Sequence, residues 1–340
     1  MRGNTTHRFS NTAVLSVCAV DATEVVTSAD LDERLAGTYR KVRLRPGQLE
    51  RLVGVRERRW WSPGVTFVDG AATAGAKAIS ESGVDPADIG VMVNTSVSRL
   101  HLEPSTATAV HSALGLPSSC QNFDVTNACL GFVNGMGLAA AMIDSGMAEY
   151  ALVVDGEDPR PVQEATLRNL TREGVTSRDV AAEFATLTLG SGAAAMVLGR
   201  ADQHPEGHRM VSAVSRAATE HHGLCYGDND GMFTDLKGLL DAGIKLSEDL
   251  WAEARADFDW SDMTRYVVHQ VSQVHTAAVC ARLGIDATRV PVTFPDRGNI
   301  GPASVPITLA GEVSDLIGGD RVLLMGIGSG LNASCLEIAW

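Results

Sequence analysis

Residues 122–137 read NFDVTNACLGFVNGMG. Phe123-Asp124-Val125 has extended character, and a run of apolar and small residues follows from Leu130 to Ile143. The pattern predicts a short strand, a sharp turn at Asn127-Ala128-Cys129 and a buried helix. A thiol at that turn sits over the positive end of the helix, which favours thiolate and lowers a free-cysteine pKa of about 8.5. The same position also suits a small buried hydrophobe, because free cysteine is among the most buried residue types. The rest of the chain has to separate these readings.

Upstream, Ala13 to Val20 reads as a strand and Ser28 to Leu35 as a helix capped by Ser28. Ala71 to Ser82 is an alanine-rich helix closed by Gly83, Val91 to Asn94 a buried strand, and Ser105 to Leu114 a helix closed by Gly115. Downstream of the opening stretch, Ala151 to Val154 is a strand, Pro159 to Glu183 reads as a charged surface excursion, and Leu187 to Leu198 as a glycine-broken strand. Strands alternating with helices predict an α/β protein.

The second half repeats the first at an offset of about 170 residues. Tyr266 to His269 matches Val91 to Asn94, Thr276 to Ile285 matches Thr108 to Leu116, and Val322 to Met325 matches Ala151 to Val154. Two similar halves are expected, residues 1–201 and 202–340, joined by the polar linker Asp202 to His208. Cys129 then falls opposite Gly298-Asn299-Ile300. Equivalent turns face one another in a duplicated pair, so Cys129, His269 and Asn299 should converge. A thiolate can take an acyl group from a thioester, and the two side chains can donate to an oxygen that becomes negative. The glycine loop Gly326 to Gly330 suits close approach to Cys129. Taken singly, His269 is a strand-end histidine and Asn299 a turn residue.

Net charge is −13 over 340 residues, which argues against nucleic acid or an anionic membrane as the main partner. None of the six cysteines forms a Cys-x-x-Cys pair or has a histidine at zinc-ligand spacing, so neither a disulfide framework nor a metal site is expected. The N-terminus lacks the continuous apolar core of a signal peptide, and no run is long enough to span a membrane. The chain reads as cytoplasmic. Gly54 to Trp61 is its densest basic and aromatic patch. It reads either as a solvated turn with a tryptophan plugging the core or as a mouth for a nucleotide-bearing ligand.

Four segments carry a family resemblance: Asn127 to Phe132, Val268 to Gln270, Gly298 to Ser304, and Gly326 to Gly330. In this order they resemble the ketoacyl synthase III branch of the thiolase superfamily. The stretch Asn94 to Thr106, with Asp155-Gly156-Glu157 after the later strand, is most similar to the acyl-CoA condensing enzymes of long-chain olefin and β-lactone biosynthesis, the OleA type. The resemblance implies a five-layered αβαβα fold, an acyl-Cys129 intermediate and a dimer, either of identical subunits or with a paralogue. It implies long-chain acyl-CoA substrates, no other cofactor, and downstream olefin or β-lactone enzymes as partners. His269 and Asn299 become donors to one substrate carbonyl. The N–H groups of Cys129 and Ser329 become donors to the thioester oxygen. Arg58 and Arg59 become contacts for coenzyme A.

Pairing the halves leaves the first-half loop longer around Ser98 to Glu103. A fatty acyl thioester has no carboxylate to lose, so a Claisen condensation between two of them needs a base for an α-proton. Glu103 on generic grounds is a solvent-facing loop residue. In the resembled family the matching glutamate enters the partner subunit's site, which implies the base role. The alternatives are a decarboxylating 3-oxoacyl-[acyl-carrier-protein] synthase III using malonyl thioester, a subunit that only lends its loop to a partner, and a lipid-binding protein without catalysis. An acidic chain suits docking of an acidic carrier protein poorly.

Overall fold

The structure is a computed structural model and describes residues 5–340. Met1 to Asn4, where the stretch read for a signal peptide begins, lie outside them. In chain order the strands are β1 (Thr5–Arg8), β2 (Thr12–Asp21), β3 (Glu24–Thr27), β4 (Glu57–Trp60), β5 (Ile89–Asn94), β6 (Gln121–Asp124), β7 (Tyr150–Glu157), β8 (Gly192–Arg200), β9 (His208–Ala217), β10 (Cys225–Asp228), β11 (Gly231–Thr234), β12 (Arg265–Val268), β13 (Arg321–Gly328) and β14 (Asn332–Ala339). The α-helices are α1 (Ser28–Arg34), α2 (Ala36–Val42), α3 (Phe67–Ser82), α4 (Thr106–Leu114), α5 (Gly131–Asp144), α6 (Arg160–Leu170), α7 (Ser177–Glu183), α8 (Leu236–Ala254), α9 (Gln273–Leu283), α10 (Phe294–Arg297) and α11 (Ser304–Glu312).

The large sheet runs β12-β13-β14-β9-β2-β8-β7-β5-β6, with β1 paired onto β9. Outward from the β2–β9 junction the order is β8-β7-β5-β6 on one side and β14-β13-β12 on the other. Pairing sense repeats as well: β5 and β7 are parallel, like β12 and β13, while β7–β8 and β13–β14 are antiparallel. The sheet ends at β12, with no strand in the described residues mirroring β6, and the chain is irregular over residues 290–293. The junction itself is short, pairing Ala13 with Arg209 and Val14 with His208.

Both faces of each half-sheet are covered, which is why the strands are continuous apolar runs rather than alternating ones. Val91, Val93 and Val153 face inward with Val267, Leu324 and Leu336, and between them lie Phe132 and Met136 of α5 with Val305 and Leu309 of α11. Met92 and Leu152 face the other way, onto Ala71, Ala74 and Val110 of α3 and α4. On the far side Val268 and Leu323 meet Leu250, Trp251 and Val279 of α8 and α9. The layers are therefore α3/α4, sheet, α5/α11, sheet, α8/α9: the five-layered α/β thiolase fold.

Local chemistry corrects three expectations. Thr27, not Ser28, caps α1, in a capping box with Asp30; Ser28 is buried and donates to the Val55 carbonyl at 2.6 Å. α3 begins at Phe67, where Thr66 and Asp69 form a second box. The segment Pro159 to Glu183 is no surface excursion, because Leu167, Leu170 and Val180 pack in a core with Leu31, Leu35 and Tyr39.

Gly156 on β7 shows how tightly α3 seats. A Cβ there would lie 2.2 Å from the Phe67 carbonyl oxygen, a backbone atom that cannot swing away. Gly156→Ala should therefore destabilise the fold by about 2–4 kcal/mol in chemical denaturation. A loss under about 0.5 kcal/mol would show that the start of α3 can shift freely.

Candidate active site

Cys129 lies in the turn between β6 and α5, half-buried and unpaired. The turn is tight: Leu130 N donates to Asn127 O, and Gly131 N to Ala128 O, both at 3.0 Å. Ala128, immediately before the thiol, has φ 46°, left-handed backbone in a residue that carries a Cβ. Such strain clusters at functional positions. The sequence offers no sign of it, since alanine has no preference for that region.

The second half closes over this turn. A Cβ on Gly328 would stand 2.6 Å from the Asn127 carbonyl oxygen, and one on Gly326 would stand 2.5 Å from Leu130 Cδ1. The glycines of β13 thus allow the backbone contact that the glycine motif suggests. Asn332 Nδ2 on β14 adds a bond to Asn127 Oδ1 at 3.2 Å. Ser329 is half-buried in the β13–β14 turn. His269, almost wholly buried, is fastened to the same strand, its N–H donating to the Met325 carbonyl at 2.8 Å.

Asn299 is held by its backbone. Its N–H donates to Thr188 O and its carbonyl accepts from Gly190 N, both at 2.9 Å. Its Oδ1 accepts from Gly301 N at 2.9 Å, so the amide nitrogen is the donor not committed within the turn. The positive φ angles belong to Gly298 and Gly301, which removes the reading of Asn299 as the left-handed residue. Glu157 lies beside this turn, its carboxyl carbon 3.7 Å from where a Cβ on Gly301 would stand, and it acts electrostatically on Cys129.

Electrostatics overturns the thiolate expectation for the free chain. Burial pushes the Cys129 thiol up to about 12, with Cys225, Glu157 and Asp155 adding to the rise and only its own backbone N–H opposing it. Two N–H groups at this helix end, those of Leu130 and Gly131, are already spent on the carbonyls of Asn127 and Ala128. Asp155 and Glu157 are themselves raised by burial, Glu157 to about 7.

Glu157 has a mechanical role as well. Its carboxylate accepts from Val97 N at 2.6 Å, Ser98 N at 3.1 Å and Ser98 Oγ at 2.6 Å. Asp124 fixes the other end of that loop, accepting from Thr106 N and Ala107 N and pairing with Arg99 at 3.5 Å. Between these roots the loop stands out: Val97, Leu100 and Leu102 are exposed, Leu102 completely. Glu103 is on this tip. Among the described residues it makes no hydrogen bond or ion pair. The clamp was missed in the sequence, although two acids after the apolar run Ala151 to Val154 signal buried carboxylates in need of donors.

Arg58 requires correction. It is completely buried, donating to Val26 O, Ser28 Oγ and Leu187 O, and has no surface to offer coenzyme A. Its Cβ lies 3.1 Å from the position a Cβ on Gly298 would take, so it braces the Asn299 turn from below. Arg59 is half-buried and paired with Glu57 at 2.7 Å. Trp60 and Trp61 are buried, their indole N–H groups donating to Gln163 Oε1 and Glu157 O.

Among the described residues no helix is long and apolar enough to cross a membrane. The family described as 3-oxoacyl-[acyl-carrier-protein] synthase III C terminal matches residues 254–340, and 3-oxoacyl-[acyl-carrier-protein] synthase III matches residues 123–171. The chain is 44% identical over 336 residues to an acyl-CoA:acyl-CoA alkyltransferase of Xanthomonas campestris, covering 98% of this chain and 99% of that protein. It is 35% identical to one from Shewanella oneidensis, covering 98% and 100%. A β-ketoacyl-[acyl-carrier-protein] synthase III of Streptomyces coelicolor is more distant, 29% identical and covering 84% and 83%. Among solved structures, a cysteine-to-serine variant of Xanthomonas campestris OleA with bound lauric acid and lauroyl-CoA superimposes with a TM-score of 0.95 at 43% identity, covering 98% of this chain and 100% of that one.

Proposed function

Because this chain belongs to the acyl-CoA:acyl-CoA alkyltransferases, ketoacyl synthase III-like enzymes of the thiolase fold, we propose that it joins two fatty acyl-CoAs by a Claisen condensation without decarboxylation. Cys129 Sγ attacks the first thioester carbonyl. The N–H groups of Cys129 and Ser329 hold its oxygen while CoA leaves as the thiol, carrying the proton that Cys129 gives up. The second acyl-CoA sets its carbonyl against His269 and Asn299. Glu103 of the partner subunit removes its α-proton, and the resulting enolate attacks acyl-Cys129. The products are a 2-alkyl-3-ketoacyl-CoA and a free Cys129; hydrolysis of the thioester then gives the β-keto acid and CoA.

The observation that supports this most directly is the closure of β13 and its glycines over the Cys129 turn, in a chain similar end to end to enzymes so named. The homodimer, the cytoplasmic location, Arg59 as a coenzyme A contact, the absence of a further cofactor and a downstream olefin or β-lactone pathway belong to the same reading. Incubation with myristoyl-CoA alone tests it. A ketone built from two acyl chains is expected, since β-keto acids lose carbon dioxide readily. Free fatty acid only, or condensation that demands a malonyl thioester, would overturn it.

A further inference from the structure

Beside His269 lies a cavity of about 30 Å³ between α8, α9, the end of β12 and strands β13 and β14. Trp251, His269 and His275 line it together with apolar residues such as Leu250 and Val279. Trp251 Nε1, His269 Nδ1 and His275 Nδ1 are all buried and have no hydrogen-bond partner among the described residues. Ser247, the lining hydroxyl, is already committed to the Gly243 carbonyl at 2.9 Å. Three orphaned ring nitrogens around one small polar-cornered space are more than chance would leave, because buried polar groups are normally satisfied. A space of this size has room for a water, which needs two to four polar partners.

We propose that this cavity binds a water molecule that sets the tautomer of His269, with Trp251 and His275 as positioning residues. Several arrangements satisfy all three nitrogens through a single water, and the one that leaves both rings able to donate from Nε2 has the water giving a proton to each of them. The Trp251 indole can only donate, so the water accepts there. Its two protons then go to Nδ1 of His269 and Nδ1 of His275. Each ring is left with its own proton on Nε2. Burial lowers His269 to about 3, with His275 adding to the effect, and lowers His275 to about 4, so both rings are neutral and carry one proton each. His269 Nε2 makes no hydrogen bond and is not sealed in, so it is the nitrogen facing open space. The water thereby points an N–H, rather than a lone pair, toward the carbonyl of the second acyl-CoA. This step rests on the role given to His269 above.

The test uses the full-length enzyme with ¹⁵N-labelled histidine. The His269 signals are assigned by their loss in His269→Ala, and the tautomer is read from the two ring-nitrogen shifts. The same measurement is made on Trp251→Phe and on protein carrying benzothienylalanine at position 251, a near-isostere with sulfur in place of N–H. Wild type should show the Nε2–H form, and both replacements should convert His269 to a mixture. Condensation should fall roughly 10-fold while acylation of Cys129, followed by intact mass, keeps its rate. If wild-type His269 carries its proton on Nδ1, or if the isostere changes neither tautomer nor condensation, the proposal is wrong. Failure of the functional reading looks different: His269→Ala would then condense normally, whatever the tautomer in wild type.

Discussion

Cys129→Ala should leave a folded protein that neither forms an acyl adduct nor condenses acyl-CoA. The drop should exceed about 10³-fold, because removing a covalent nucleophile removes the route and not merely one contact. Folding should be nearly unaffected, since Cys129 is half-buried and its thiol makes no side-chain hydrogen bond. Intact mass after mixing with acyl-CoA checks the first claim and product analysis the second. Condensation persisting in the variant would mean that the enolate attacks acyl-CoA directly. The raised thiol adds a pH signature. Attack by thiolate requires loss of a proton held up to about 12, so alkylation by iodoacetamide should quicken roughly tenfold per pH unit and keep rising past pH 9. A plateau near pH 8 would show that the helix end prevails over burial after all.

Glu103→Ala should separate the two half-reactions. The acyl-Cys129 adduct should form at the normal rate, and condensation should fall by about 10²–10⁴-fold, the usual contribution of a general base. The side chain is exposed and has no partner among the described residues, so stability should change by less than about 0.5 kcal/mol. Retained condensation would point to another base. Delivery across a dimer can be tested with the same variant. Mixing Glu103→Ala with Cys129→Ala subunits and letting them exchange should restore about a quarter of the wild-type sites, because only mixed dimers assemble one complete site. No recovery would place the base in the same subunit as its nucleophile.

The parts of the site legible in the sequence are those where one residue type has few other uses in that setting. Glycines at 326 and 328 on an apolar strand announce a backbone contact, and they make it with the Cys129 turn. The recurrence of Tyr266 to His269 after Val91 to Asn94 announced where a second set of loops would lie, and β12 stands at the place mirrored from β5. Arg58 failed for a physical reason: a guanidinium beside tryptophans reads the same whether it faces a ligand or satisfies three buried acceptors, and only burial separates the two. The thiolate expectation meets opposition because a helix end is visible in a sequence, whereas the burial of the thiol, with carboxyls adding to it, is not. The left-handed backbone at Ala128 and the loop that the Glu157 carboxylate holds were illegible for the same reason, as both depend on where the backbone goes in three dimensions.

The loop carrying Glu103 is anchored at its roots by the buried Glu157 and the half-buried Asp124 and presents Val97, Leu100 and Leu102 to solvent at its tip. On the mechanism proposed above, its chemistry is in effect on loan. A lone subunit could load an acyl group but would hold no tool for using it, so dilution should act as a brake on one half-reaction only. Specific condensation activity should decline as protein concentration falls below the subunit dissociation constant, while the rate of acyl loading per cysteine stays level. Titrating enzyme over several decades of concentration, with both quantities followed side by side, would reveal whether assembly itself governs when this enzyme turns over.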